Sequence, residues 1–227
     1  MRFITSLSPK SIPKCRECVD SWKPFSSEIV AVQSESEIAT LQPLFSEVRF
    51  VATNRVGTLF ESHYCPNIHA LVDQGPGLII NADISIRSTK QTFDEKFQIR
   101  PKVLDCGIRW DYDSRGRDLN PYGIDAFRID EELMTIFQGT EFTIGQPGWD
   151  YYFVLEAEKH GFYINAHKNP PMFFHELHEV NWSRWKLTLA QALLEKMYNM
   201  PQADITRKVQ KLTHRQTTVR RKYSGKR

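Results

Sequence analysis

Gly77-Leu78-Ile79-Ile80-Asn81-Ala82-Asp83-Ile84 runs apolar for several residues and then turns abruptly polar. An uninterrupted aliphatic run of this length, followed by amide and carboxylate side chains, reads as a buried strand that ends on a polar rim. Moving toward the N-terminus, the same alternation repeats. Phe3-Ile4-Thr5-Ser6-Leu7 is a first strand closed by the turn-formers Ser8 and Pro9, and Cys15 to Trp22 places Cys18, Val19 and Trp22 at helical spacing. Glu28 to Val32 is a second strand, Ser36 to Leu41 a short helix, Val48 to Ala52 a third strand, and Asn67 to Val72 another helical stretch. Strands alternating with helices imply an α/β fold whose mostly parallel sheet is covered on both faces. Ligands in such folds lie beyond the carboxyl ends of the strands, which puts Ser6, Ser8, Gln33, Ser34, Asn81 and Asp83 on one rim.

The second half is less regular. Lys102 to Trp110 and Gly123 to Ile129 read as strands, separated by a loop over Asp111 to Tyr122 that is rich in Asp, Arg, Gly, Asn and Pro. Glu131 to Phe137 suits a short helix. The turn Gly145-Gln146-Pro147-Gly148-Trp149-Asp150 launches a helix from Tyr151 to His160, stopped by Gly161. Trp182, Trp185, Leu189, Leu193, Met197 and Met200 recur three or four apart, as on one face of a helix ended by Pro201. The domain is expected over residues 1–200, with 201–227 following as a basic tail, helical in part or disordered.

At 227 residues, 41% apolar and 25% charged, the chain suits one sizeable soluble domain. No apolar run spans a bilayer, and Met1 to Ser6 lacks the charged head and long apolar run of a secretory signal, so a cytoplasmic location is expected. Cys15 and Cys18 have the spacing of half a zinc site or of a redox pair, yet Cys65 and Cys106 form no second pair. Core-filling thiols are the simpler reading. The net charge of +3 divides unevenly: residues 201–227 hold nine Lys or Arg against the single acid Asp204, so they carry +8 and residues 1–200 carry −5. Such a segment suits contact with phosphate, or serves only as a solvated tail.

Three sets of residues could carry chemistry. Asn81-Ala82-Asp83 places two oxygen-bearing side chains two residues apart at a strand end, where they would share a side and suit a hard cation such as Mg²⁺ or Mn²⁺; a turn or capping role is the plainer alternative. His175 and His178 could share one helical face, or one could bind a metal while the other packs. The His spacing of zinc proteases is absent. Asp150, in the first turn of a helix, is either a capping carboxylate or a general base held at a cleft by the turn before it. No phosphate-binding Gly-Lys loop, dinucleotide Gly motif or nucleophile elbow occurs.

Taken in order, Phe3 to Ser8, Ile80 to Ile84, Tyr122 to Phe127, Ile144 to Asp150 and Phe174 to His178 resemble glycosyltransferases of the GT-A fold, the nucleotide-diphospho-sugar transferase superfamily. The resemblance implies a three-layer α/β/α sandwich with a Rossmann-type nucleotide-binding half, and transfer of a sugar from a nucleotide-diphosphate donor to a hydroxyl acceptor with inversion. It puts Asn81-Ala82-Asp83 at the family's Asp-x-Asp motif with Asn81 in place of the first acid, so that metal contact rests on Asp83. It further implies His175, with His178 close behind, as late ligands to Mn²⁺ or Mg²⁺, and Asp150 as the base. Thr5, Ser6 and Ser34 would line the nucleotide pocket, and Gly123 and Asp125 would face the donor sugar.

For the acceptor, two classes stand: a glycan, lipid-linked saccharide or small molecule, or a nucleic acid such as a hydroxylated DNA base. The second is motivated by the basic tail with Arg220, Arg221 and Lys222, and by Arg109, Arg115 and Arg117 in a loop that could overhang the site. An inactive nucleotide-sugar-binding module is a third reading, motivated by Asn81.

Overall fold

The computed structural model describes residues 1–55, 66–113, 115, 118–178 and 183–214, with the backbone alone for 118–122. Cys65, Arg117, Trp182, Arg220, Arg221 and Lys222 lie outside the described residues.

The first half alternates as its sequence implies: β1 (Arg2–Thr5), α1 (Ile12–Trp22), β2 (Glu28–Gln33), α2 (Glu35–Leu41), β3 (Val48–Ala52), α3 (Ile68–Val72) and β4 (Gly77–Ile80). Helix starts in this half carry a capping side chain, or a proline that removes one of the N–H groups lacking a partner. Ser34 caps α2 in a reciprocal box with Glu37, Asn67 caps α3, and a proline opens α1. The rest comprises β5 (Ile84–Ile86), α4 (Lys90–Lys96), β6 (Val103–Tyr112), β7 (Asp118–Ile129), α5 (Glu131–Ile136), α6 (Trp149–Lys159), β8 (Tyr163–His167), β9 (Phe173–Glu176), α7 (Arg184–Tyr198) and α8 (Gln202–Thr213).

The nine strands form one mixed sheet in the order β3-β2-β1-β4-β7-β6-β9-β5, with β8 also paired to β6. The pairs β2–β3, β1–β2, β1–β4, β6–β8 and β6–β9 are parallel; β4–β7, β6–β7 and β5–β9 are antiparallel. Because strand side chains alternate, each central strand feeds two cores. Phe3, Leu78 and Ile80 join the cluster with Trp22 of α1, Leu41 of α2 and Phe93 of α4, while Ile4 and Ile79 join the one with Leu71 of α3, Leu133 of α5 and Phe153 of α6. Helices on both faces make the molecule an α/β/α sandwich.

Three features depart from the sequence reading. The loop expected over residues 111–122 is mostly a hairpin, with β6 reaching Tyr112 and β7 starting at Asp118. β5, α4 and β8 carry no signal that periodicity detects: Tyr163–His167 is a short strand of mixed polarity whose place is fixed by pairing with Val103–Gly107. The basic C-terminal segment begins with α8, whose Ile205 and Val209 are buried in the same cluster as Phe153 and Ile164. Cys15 and Cys18 fill the core beneath α1, and Cys106 fills the opposite one. No helix among the described residues is long and apolar enough to cross a membrane.

β6 changes partner along its length, pairing with β8 through Gly107 and with β9 from Arg109 onward. At the changeover the Phe173 ring lies where a Cβ on Gly107 would stand. Phe173 is fully buried, so the ring cannot move aside without disturbing the core. Gly107→Ala is therefore expected to lower unfolding stability by about 1–3 kcal/mol, read as a lower midpoint in urea with an unchanged slope.

Candidate functional site

The site lies past the carboxyl ends of β4, β6 and β9. After β4 the chain turns through Asn81-Ala82-Asp83-Ile84, closed by the Ile84 N–H donating to the Asn81 carbonyl at 3.2 Å. Asp83 thus sits in a turn rather than on the strand. The Asn81 side chain accepts from the Ala82 N–H at 3.2 Å and lies 3.4 Å from Asp125 Oδ1, while Asp83 faces the histidines. Ile84 pairs in register with His175, so the β5–β9 ladder sets Asp83 beside a residue 92 positions later in the chain.

The histidines do not share a helix: His175 is on β9 and His178 follows its end. His175 Nε2 lies 3.5 Å from Asp83 Oδ2 and 3.3 Å from His178 Nε2, and His178 Nε2 lies 3.4 Å from Asp83 Oδ2. Three ligands held about 2.1 Å from one cation at tetrahedral or octahedral angles stand roughly 3.0–3.4 Å apart. The triangle has that size, and among the described residues these three form a group able to hold a metal ion. A second observation fits a cation. Asp83 Oδ1 is buried without a hydrogen-bond partner, and a carboxylate oxygen so placed is costly unless a positive charge meets it. Two imidazoles and one carboxylate suit Mn²⁺ and its transition-metal neighbours better than Mg²⁺, which prefers oxygen alone.

Behind this triangle stands Arg109. It lies on β6 and points inward, with Nε 2.9 Å from Asp111 Oδ1 and Nη1 3.0 Å from Asp125 Oδ2. It therefore does not overhang the site from a loop, as expected of an acceptor contact. Asp125 owes its aim to the hairpin. Gly107 pairs with Ala126 but Ile108 pairs with Ile124, so Asp125 is the extra residue of a β-bulge. Gly123, close by at φ +90°, sits near a second irregularity, and a Cβ there would crowd the Arg109 guanidinium. Asp125 is buried, and its carboxyl is pushed up by that burial against the pull of Arg109.

Asp150 enters from the opposite side, in the first turn of α6 behind Gly148, which holds a left-handed φ of 88°. Burial and then the negative charge of Asp125 push its carboxyl up to about 7, while Arg109 opposes them. A carboxylate with this affinity can take a proton near neutral pH. Arg109 in turn feels the charges of Asp125, Asp111, Asp83 and Asp150, which places all four carboxylates around one guanidinium. Burial alone would lower the His175 pKa, but its hydrogen bonds with Asp111 and Asp83 raise it to about 9. Burial likewise opposes ionisation of Asp83, and the two histidines outweigh it, holding the carboxyl well below its ordinary value.

The remaining expected residues are spread along the rim. Thr5 is fully buried, with a hydroxyl that has no hydrogen-bond partner. Ser6 donates to Gln33 Oε1 at 2.7 Å, and the Ser34 hydroxyl is occupied in capping α2. Arg115 is exposed in the turn between β6 and β7. Sequence reading missed Arg109 as an internal clamp and Asp111 altogether. The Arg-x-Asp pattern on alternate positions of a strand was the available signal, though it marks an exposed ion pair just as readily.

No protein-family model matches the sequence, and no curated protein matches it. Solved structures do resemble it. Residues 1–349 of Staphylococcus aureus TarS, crystallised with UDP-GlcNAc, are 11% identical with a TM-score of 0.55, covering 93% of this chain and 70% of that one. A Bacillus anthracis chain assigned as a glucose-1-phosphate thymidylyltransferase, crystallised with sucrose, is 11% identical with a TM-score of 0.44, covering 89% and 98%. A 4-diphosphocytidyl-2C-methyl-D-erythritol synthase from Anaerococcus prevotii is 10% identical with a TM-score of 0.45, covering 86% and 95%. At the latter two scores the likeness carries no weight. The chain has a GT-A-like fold, and at this level of identity the resemblance speaks for the fold alone.

Asp150 supplies a test of the electrostatics that needs no ligand. A carboxyl whose pKa is raised in the folded state, from 3.8 to about 7, contributes stability that is complete below 3.8 and is lost as the pH climbs through 7. Asp150→Asn removes that loss. Its unfolding midpoint relative to the unaltered chain should therefore rise steadily between about pH 4 and about pH 8, measured by denaturant titration across that range.

Proposed function

We propose that this GT-A-like chain is a metal-dependent glycosyltransferase that moves a sugar from a nucleotide-diphosphate donor to a hydroxyl acceptor with inversion. The observation that carries the reading is the triangle of Asp83, His175 and His178, sized for one divalent cation, on the same rim as the proton-accepting Asp150. The fold favours a nucleotide donor in that position, since phosphates in open α/β sheets bind beyond the carboxyl ends of the strands. The folded unit for this activity includes α8, with the basic residues beyond it as an appendage.

Asp83, His175 and His178 would hold the cation, which when bound supplies positive charge to offset the charge gained by the departing diphosphate. Asp150 accepts the proton of the acceptor hydroxyl. The hydroxyl oxygen forms its bond to the anomeric carbon from the face opposite the diphosphate as the bond from that carbon to the diphosphate oxygen breaks, and nucleoside diphosphate leaves. Arg109 would hold Asp125 and Asp111 in place behind the sugar-facing wall. Asn81 and Gly145 border the same wall, a Cβ on Gly145 lying 3.4 Å from Asn81 Oδ1. Ser6 and Ser34 would contact the nucleotide, while Thr5, fully buried, offers it no surface.

The test is incubation with a panel of nucleotide sugars and Mn²⁺, following slow donor hydrolysis. Release of nucleoside diphosphate supports glycosyl transfer; release of pyrophosphate or nucleoside monophosphate points to nucleotidyl chemistry and removes the proposal. Asp83→Ala and His175→Ala should abolish turnover, and Asp150→Asn should lower it by about 10²–10⁴-fold. Undiminished turnover in Asp150→Asn would remove Asp150 as the base.

A further inference from the structure

The geometry points to Asp111 as a positioning residue that fixes the tautomer of His175, turning its Nε2 lone pair toward the cation; this rests on the metal reading above. His175 Nδ1 and Asp111 Oδ1 are 3.0 Å apart, and both residues are buried. Asp111 and His175 are register partners in the parallel β6–β9 pair, so the backbone ladder sets their spacing. The same oxygen, Asp111 Oδ1, also faces Arg109 Nε at 2.9 Å. A carboxylate paired with a guanidinium acts as an acceptor, so the His175 nitrogen that faces it, Nδ1, carries the proton.

The opposite ring nitrogen follows from this. Nε2 faces His178 Nε2 at 3.3 Å and Asp83 Oδ2 at 3.5 Å. Without a cation, a proton on Nε2 can donate to Asp83; a cation in the triangle takes that proton's place and meets the Nε2 lone pair. Asp111 accepts from Nδ1 in both cases, so the ring turns the same nitrogen to the cation, and its charge raises the basicity of the ligating nitrogen, as carboxylates behind metal-bound histidines do. Arg109 holds Asp111 and Asp125 together and so couples the cation end of the site to the bulge opposite Asp150.

The full chain, labelled with ¹⁵N-histidine, is titrated with Zn²⁺ alone as a diamagnetic probe. Affinity is read against a competing chelator, and ring nitrogens by two-bond ¹H–¹⁵N correlation. In the unaltered chain, Zn²⁺ should bond His175 Nε2 and leave Nδ1 protonated. Asp111→Ala should weaken Zn²⁺ binding about 10–100-fold and mix the two ring forms. The isosteric Asp111→Asn keeps an acceptor oxygen facing His175 Nδ1, so it should restore the single ring form with a smaller loss of affinity. If Asp111→Ala binds Zn²⁺ as tightly as the unaltered chain with the same ring signature, the inference falls while the metal site stands. It falls equally if Asp111→Ala lowers the unfolding midpoint alone. If the unaltered chain takes up no Zn²⁺, the metal reading itself falls.

Discussion

A guanidinium enclosed between two carboxylates organises the working end of this molecule. Arg109 could not lie where it does without Asp111 and Asp125, because burying an unpaired charge costs several kcal/mol. Nor could those two acids converge without a positive group between them. The requirement reaches into the backbone. β7 bulges at Asp125 and takes a left-handed turn at Gly123 so that the Asp125 carboxylate meets the arginine. Through Asp111 the same clamp reaches His175, and its field extends to Asp83 and Asp150. Asp111 and Asp125 pair with Arg109, and Asp83 adds a further carboxylate nearby, an arrangement that suits the proposed divalent cation.

The first half of the fold is legible because β1, β2 and β4 are buried on both faces and α2 and α3 are capped by residues next to them in sequence. Ile4 and Phe3 enter different cores, so β1 had to read as continuously apolar. Asn67 and Ser34 mark helix starts by chemistry that works within a few residues. The second half resisted for the opposite reason. β8 has a short, mixed sequence, and only its pairing with β6, some sixty residues earlier, makes it a strand. The hairpin of β6 and β7 carries Gly, Pro, Asn and Asp, residues that locally favour turns, because bulges interrupt its ladder.

The site was legible by residue type and blurred in geometry. Asp83, His175, His178 and Asp150 were all singled out from the sequence, yet the structure puts Asp83 in a turn and His175 on a strand. What local spacing could not supply is that Asp83 and His175 meet through the register of two strands. The alternation of Arg109 and Asp111 along β6 marks an ion pair but not its link to His175, which exists only through the β6–β9 register.

The partner exchange of β6 at Gly107 separates two duties along one strand. Upstream, pairing with β8 ties the sheet to the helical layers; downstream, pairing with β9 carries the ligands. Asp83 and His175 are linked through β5 and β9, and neither strand includes the turn that joins β6 to β7. Changes in the length or chemistry of that turn can therefore alter what approaches the rim without altering the spacing of the ligand atoms. The turn and the Asp83–His175 pair can vary independently, because the β5–β9 ladder that joins the pair does not run through the turn.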